Sequence, residues 1–205
     1  PPSPMSRPSA YTFLEMDIDT LRQTAESLGL QLLGVAPVEP VGNGWFAPHR
    51  ARFLEWIERG DHGEMKWMEE RVQERTVPRA LLPSVRNAIV FWMQHRTADM
   101  PRPEYETARV AAYAWGRDYH NVLRKAMRKV ERRIREWHPN LNRYISIDTG
   151  AVLERSFGQR AGVGWIGRST MLINQTWGTY GSLAVMFTDL DLPTAVAEHP
   201  DRCGT

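Results

Sequence analysis

The sequence predicts a mixed α/β (α+β) fold built as one layered domain. Three observations carry that prediction. Short apolar runs of strand length recur at 31–36, 87–93 and 182–187. A long amphipathic helix from Tyr119 to Trp137 places Leu123, Met127, Val130, Ile134 and Trp137 at steps of three and four residues. Helix-like and strand-like stretches alternate along the chain without an internal repeat. A length of 205 residues, with 42% hydrophobic and 10% aromatic content, suits one domain with a real core.

In chain order, residues 1–18 are rich in Pro and Ser and lack an apolar core behind a basic end. They read as a disordered leader and not as a signal peptide. Asp19 is placed to cap a first helix through Leu28, with Gly29 as its stop. Gln31 to Ala36 is a strand, Val38 to Pro48 a loop, and Arg50 to Arg59 a helix that Gly60 ends. Glu64 to Glu74 is helical, and Pro78 and Pro83 bracket a short turn. Asn87 to Met93 reads as a buried strand, Thr97 to Glu106 as an exposed loop, and Ala108 to Ala114 as another strand. After the long helix, Arg143 to Ile147 is a strand, Val152 to Arg160 a helix, and Ser182 to Phe187 a strand.

The net charge of +2 favours no particular partner, but its distribution does. Arg124 to Arg135 carries seven Lys or Arg against one acid, a local +6. Arg124, Arg128 and Arg132 are its candidate nucleic-acid contacts, beside the plain reading of a solvated helix face. One cysteine forms no internal disulfide and builds no cysteine cage, which fits a reducing compartment. No run approaches the roughly 18 apolar residues of a membrane span, so a cytoplasmic monomer with no membrane partner is expected. The six histidines lack the spacing of a helical metal site, and no metal held by this chain alone is expected.

Two local features suggest chemistry. Asp148 ends an apolar strand and precedes flexible Thr149-Gly150, a position where such folds place ligands. A partly desolvated carboxyl there could hold a proton near neutral pH; the plain alternative is a cap for the helix near Val152. The loop from Gly162 to Gly167 formally matches G-x-G-x-x-G. That fingerprint needs a strand before it and a helix after it, whereas here a helix precedes and an extended stretch follows. The glycines still permit close approach to a flat ligand, and Arg168, Ser169 and Thr170 add donors. His120 sits at the predicted start of the long helix, where capping or support of another group is the expected role. Ser156, Ser169 and Cys203 lack the context of an activated nucleophile.

Several motifs in order resemble the tRNA epoxyqueuosine reductase family, from about Leu21 to Leu192. They are His62 to Met68 (HGEMKWM), Arg75 to Pro83 (RTVPRALLP), Trp115 to His120 (WGRDYH), Asp148 to Arg155 (DTGAVLER), Ala161 to Arg168 (AGVGWIGR) and Thr188 to Pro193 (TDLDLP). The resemblance implies a nitroreductase-like layered, corrinoid-binding domain over residues 19–195, related to the corrinoid domains of reductive dehalogenases. It implies a cobalamin held without its lower base ligand, and a neighbouring ferredoxin-like domain with two 4Fe–4S clusters. Asp148 matches the family's proton donor. Arg75, the Ala111 segment, Asp148, Gly167, Arg168, Ser169 and Leu172 match positions expected to touch the corrinoid. The implied activity is reduction of epoxyqueuosine to queuosine at the wobble position of tRNA, with tRNA and an electron-donor protein as partners.

The resemblance further implies that residues 196–205 are the start of a truncated iron–sulfur domain, with Cys203 matching the first cluster ligand of a longer protein. A fragment, or a short relative that borrows electrons, is the expectation, and neither is expected to turn over without the cluster half. Two other readings remain: a flavin-dependent nitroreductase-like oxidoreductase, and a corrinoid- or RNA-binding module without catalysis.

Overall fold

The computed structural model describes residues 18–39, 44–95, 108, 110–194, 199, 200, 202 and 203. The predicted leader, Ile18 apart, and the predicted loop from Thr97 to Glu106 lie outside them. The frame is a four-stranded sheet. Strand β1, Gln31–Pro37, pairs with β2, Asn87–Gln94. Strand β3, Arg143–Ser146, forms the opposite edge, and β6, Gly181–Thr188, lies between β2 and β3. The order is β1-β2-β6-β3 and every pairing is antiparallel.

Both faces of the sheet are covered, which explains why β2 reads as an unbroken apolar run. Side chains alternate across a strand. Ile89 and Phe91 of β2 join Ala184 and Met186 of β6 on one face. There they meet Leu21 and Ala25 of helix α1, Ile18–Ser27, and Leu123, Met127, Val130 and Ile134 of helix α6, Tyr119–Trp137. Ala88, Val90 and Trp92 share the other face with Val185 and Phe187, packed on Phe157 of helix α7, Glu154–Arg160. Gly34 of β1 passes so close to the Ala161 carbonyl that a Cβ there would clash with backbone, so glycine is what lets the end of α7 settle on the sheet.

Several boundaries differ from expectation, each for a local reason. Helix α2, Ala47–Glu58, begins inside the predicted loop, because Pro48 falls in its first turn, where a missing N–H costs nothing. The predicted helix over 64–74 is two pieces, α3, Lys66–Glu70, and α4, Val72–Thr76, broken at Arg71. The break turns Arg75 and Thr76 inward. Helix α5, Pro78–Leu81, occupies the predicted turn. The strand predicted at Ala108 to Ala114 is not one. Ala111 is extended and leads into a 3-10 turn, Ala112–Ala114, with Val110 and Tyr113 exposed. Helix α7 starts at Glu154, not Val152, since Val152 is buried against the sheet ahead of the helix. A small hairpin, β4, Trp165–Ile166, and β5, Leu172–Ile173, follows α7. Among the described residues no helix is long and apolar enough to cross a membrane.

Candidate functional site

A cleft of about 770 Å³ opens where α2, the ends of β2 and β6, the start of α7 and the hairpin meet. Phe53 and Trp56 from α2, Trp92 from β2, Tyr113 and Tyr119 are the aromatic residues in its mixed apolar and polar lining. Gly181 shapes the floor: a Cβ there would strike the Trp92 ring. Burial lowers the basicity of the His49 and His95 imidazoles, and Arg52 adds to the effect at His49, so both side chains favour the neutral form.

Asp148 stands at the rim, two residues beyond β3, with φ of +57°. That left-handed conformation is uncommon outside glycine and costs on the order of 1 kcal/mol or more, and such outliers gather at functional sites. Its Oδ2 accepts a 2.6 Å hydrogen bond from the Tyr119 hydroxyl and lies 3.1 Å from His120 Nε2. His120 Nδ1 lies in turn 2.8 Å from Asp118 Oδ1. Asp118 also caps α6, accepting from the His120 backbone N–H at 2.9 Å. The chain Asp118–His120–Asp148 is therefore assembled by one helix cap aimed at one strand end. The bond from the His120 side chain, reinforced by its N–H, holds the Asp118 carboxyl below the usual range. An ionised Asp118 selects the His120 form with a proton on Nδ1. Desolvation first, and the bond to Asp148 second, hold the Tyr119 phenol above its ordinary range, so it remains a donor.

Two readings made for Asp148 are settled by this geometry. It does not cap α7, whose N-cap is Leu153 with no side-chain bond. Nor is it desolvated: its side chain is 62% exposed, because the carboxyl projects from the rim and is held by hydrogen bonds instead of burial.

Behind Asp148 lies Arg75, one of the expected corrinoid contacts, beside Glu154, which sequence reading missed. Arg75 is buried and donates from Nη1 to the Gly150 carbonyl at 3.2 Å, while its Nε has no partner. Burial lowers its pKa, opposed by nearby Glu154. Glu154 accepts a 2.6 Å bond from the Ser146 hydroxyl, and loss of solvent pushes its carboxyl up to about 7. The only available signal was an acid two residues beyond a buried Ala-Val pair. Because folding raises this carboxyl from 4.5 to about 7, the folded state favours the proton, and its contribution is full below pH 4.5. Stability is expected to fall by on the order of 3 kcal/mol as pH rises through that window. Thermal melts at both ends of the window check this: Glu154→Gln is expected to flatten the dependence, and an unchanged slope would contradict it.

The other predicted positions are spread out. Leu172 is buried in the cleft wall. Arg168 and Ser169 sit exposed at the hairpin tip, beside the lining formed by Thr170, Met171 and Leu172. Gly167 is buried at the base of that tip, and a Cβ built on it would lie 3.2 Å from Cys203 Sγ. Cys203 is half-buried. Ala111 is exposed on the segment leading to Tyr113, which lines the cleft. The glycine stretch follows a helix and enters a hairpin, so it has no dinucleotide-binding context. On α6 the +6, which already counts Glu131, is offset further only by Glu136 pairing with Arg133, while Glu131 binds Arg135 and, from β3, Arg143 at 3.0 Å. Arg124 and Arg128 line a separate groove, and Arg132 stays exposed outside it.

Comparison with known proteins agrees with this architecture. Residues 75–149 match the family described as epoxyqueuosine reductase QueG, DUF1730. The chain is 31% identical over 189 residues to the epoxyqueuosine reductase of Pseudomonas aeruginosa, covering 90% of this chain and 51% of the relative. It is 35% identical over 185 residues to that of Gloeobacter violaceus, covering 90% and 56%. The chain thus spans about half the length of the curated relatives it matches. A crystal structure of an epoxyqueuosine reductase with an epoxyqueuosine-modified tRNA-Tyr stem loop superimposes with a TM-score of 0.73 at 24% identity, covering 92% of this chain and 49% of that one. The Bacillus subtilis enzyme gives 0.72 at 23% identity, with the same coverage.

Proposed function

We propose that this chain, which belongs to the epoxyqueuosine reductase family, is the cofactor-holding and proton-donating part of an enzyme that reduces epoxyqueuosine to queuosine in tRNA. The observation that carries the reading is the Asp148 carboxyl, held by Tyr119 and His120 at the rim of a cleft large enough for a ring cofactor. Cobalamin fits the residues present. The walls suit a flat macrocycle, and three buried nitrogens among the lining residues, Arg75 Nε, Trp92 Nε1 and His95 Nδ1, lack a protein partner. A cofactor fringed with amides offers acceptors for such groups. When bound, cobalamin would supply the two-electron reducing chemistry.

The chain's own contribution is position and protons. Reduction of an epoxide to an alkene consumes two electrons and two protons and releases water. Asp148 would deliver a proton to the departing oxygen at the rim. His120, with its Nδ1–H held by Asp118, would take up a proton from solvent on Nε2 and pass it to Asp148 across 3.1 Å, returning to the same Nδ1–H form. Tyr119 keeps the carboxyl aimed while that proton moves. Electrons would arrive from a donor protein or from the iron–sulfur domain for which Cys203 would be the first ligand. Anaerobic titration of the purified chain with cobalamin, and separately with flavin mononucleotide, tests the reading. Retention of a base-off corrinoid on gel filtration is expected. Retention of the flavin alone would replace it with a nitroreductase-like activity.

A further inference from the structure

On the far side of the 148–150 turn from the cleft lies a second groove of about 440 Å³. Four arginines line it, Arg71, Arg124, Arg128 and Arg143, against one acid, Glu131. The acid does not neutralise the groove so much as organise it. Loss of solvent disfavours its ionised form, but hydrogen bonds from Arg143 and Arg135 prevail and hold it below the usual range. Arg143 is thereby fixed on β3, Arg71 is tied to Glu74 at 3.4 Å, and Arg124 to Asn121 at 2.9 Å. Restraining long side chains beforehand lowers the entropy cost of binding an anion, and arginine forks match phosphate oxygens.

The floor completes the argument. Thr149 and Gly150 line this groove, while Asp148 lines the cleft. Asp148 and Gly150 are separated by at most about 7 Å of chain, a span that one nucleotide can cover. We propose that this groove seats a phosphodiester of the tRNA strand next to the nucleotide whose base enters the cleft, a proposal that rests on the tRNA substrate read above. Arg71 and Arg143 extend the contact surface beyond the basic helix, and Arg132 falls outside it.

The test is binding of a labelled anticodon stem-loop from a queuosine-type tRNA, and of an unrelated RNA hairpin of equal length, across a salt series. Arg124→Gln with Arg128→Gln is expected to weaken binding roughly tenfold at low salt and to reduce the slope of log affinity against log salt by about 2. Lys125→Gln with Lys129→Gln removes the same charge from exposed positions of α6 outside the groove, and is expected to change both far less. Arg124→Lys with Arg128→Lys retains the charge and is expected to keep the slope, which separates loss of charge from loss of fold. An unchanged slope in the glutamine pair overturns the groove, as does an equal loss in the lysine pair or the absence of any RNA binding by the parent chain. If the parent binds both RNAs alike and the groove variant weakens both, the phosphate site stands and the tRNA-specific reading fails.

Discussion

Asp148→Asn is expected to lower the single-turnover rate of epoxyqueuosine reduction by roughly 10²–10⁴-fold, the range assigned to a positioned general acid. Asparagine suits the test because it tolerates left-handed backbone nearly as well as aspartate, so the φ of +57° remains accessible. Its carbonyl still accepts from Tyr119, and cleft shape is preserved. What is lost is the ionisable proton. The assay supplies cobalamin already reduced, so that one turnover needs no cluster half, together with the chain and epoxyqueuosine-containing tRNA, and follows queuosine formation. Tyr119→Phe removes only the 2.6 Å aiming bond, worth about 1 kcal/mol, and is expected to cost about tenfold or less. A rate for Asp148→Asn close to the parent's, with normal corrinoid retention, would assign the proton to another group.

The contrast between those two residues marks what was legible in the sequence. Asp148 stood out because its strand and the Thr-Gly after it are local signals. The long helix was equally readable, since Leu123, Met127, Val130 and Ile134 repeat at helical spacing and all are buried. Contact between Tyr119 and Asp148 was not readable, because it joins residues 29 apart. It exists only because α6 crosses the sheet with its capped end beside the end of β3. Glu154 was hidden for a related reason: its character comes from burial beneath Ser146, and burial is a tertiary property. The failed strand at Ala108 to Ala114 shows the same limit from the other side. The segment leaves Ala111 extended and turns at Ala112–Ala114 instead of pairing with either edge strand, β1 or β3. The hairpin was half legible, with Met171 to Asn174 read as extended but its partner Trp165–Ile166 masked by glycines.

Phe157→Ala is expected to be the most destabilising single change in the domain, by about 3–5 kcal/mol. The ring is 1% exposed and sits where three elements meet. It stacks on Phe46 at 5.2 Å, meets Trp45 edge-on at 5.3 Å, and meets Phe187 of β6 edge-on at 5.0 Å. Truncation would leave a void bounded by two rings from the α2 entrance and one from the sheet, none of which can collapse without moving its own element. The consequence reaches the cleft. Phe157 is the main anchor of a seven-residue helix whose first turn carries Glu154 and Arg155, so loosening it loosens the wall behind Asp148. Phe157→Leu keeps most of the apolar volume and is expected to cost less than half as much. Urea or thermal unfolding of both variants, read beside corrinoid retention, checks the argument. Loss of retention in the alanine variant at temperatures where it remains folded would show that α7 acts by holding the cleft in shape. Retention undiminished up to the melting transition would confine Phe157 to stability and leave cleft geometry to the sheet and the hairpin.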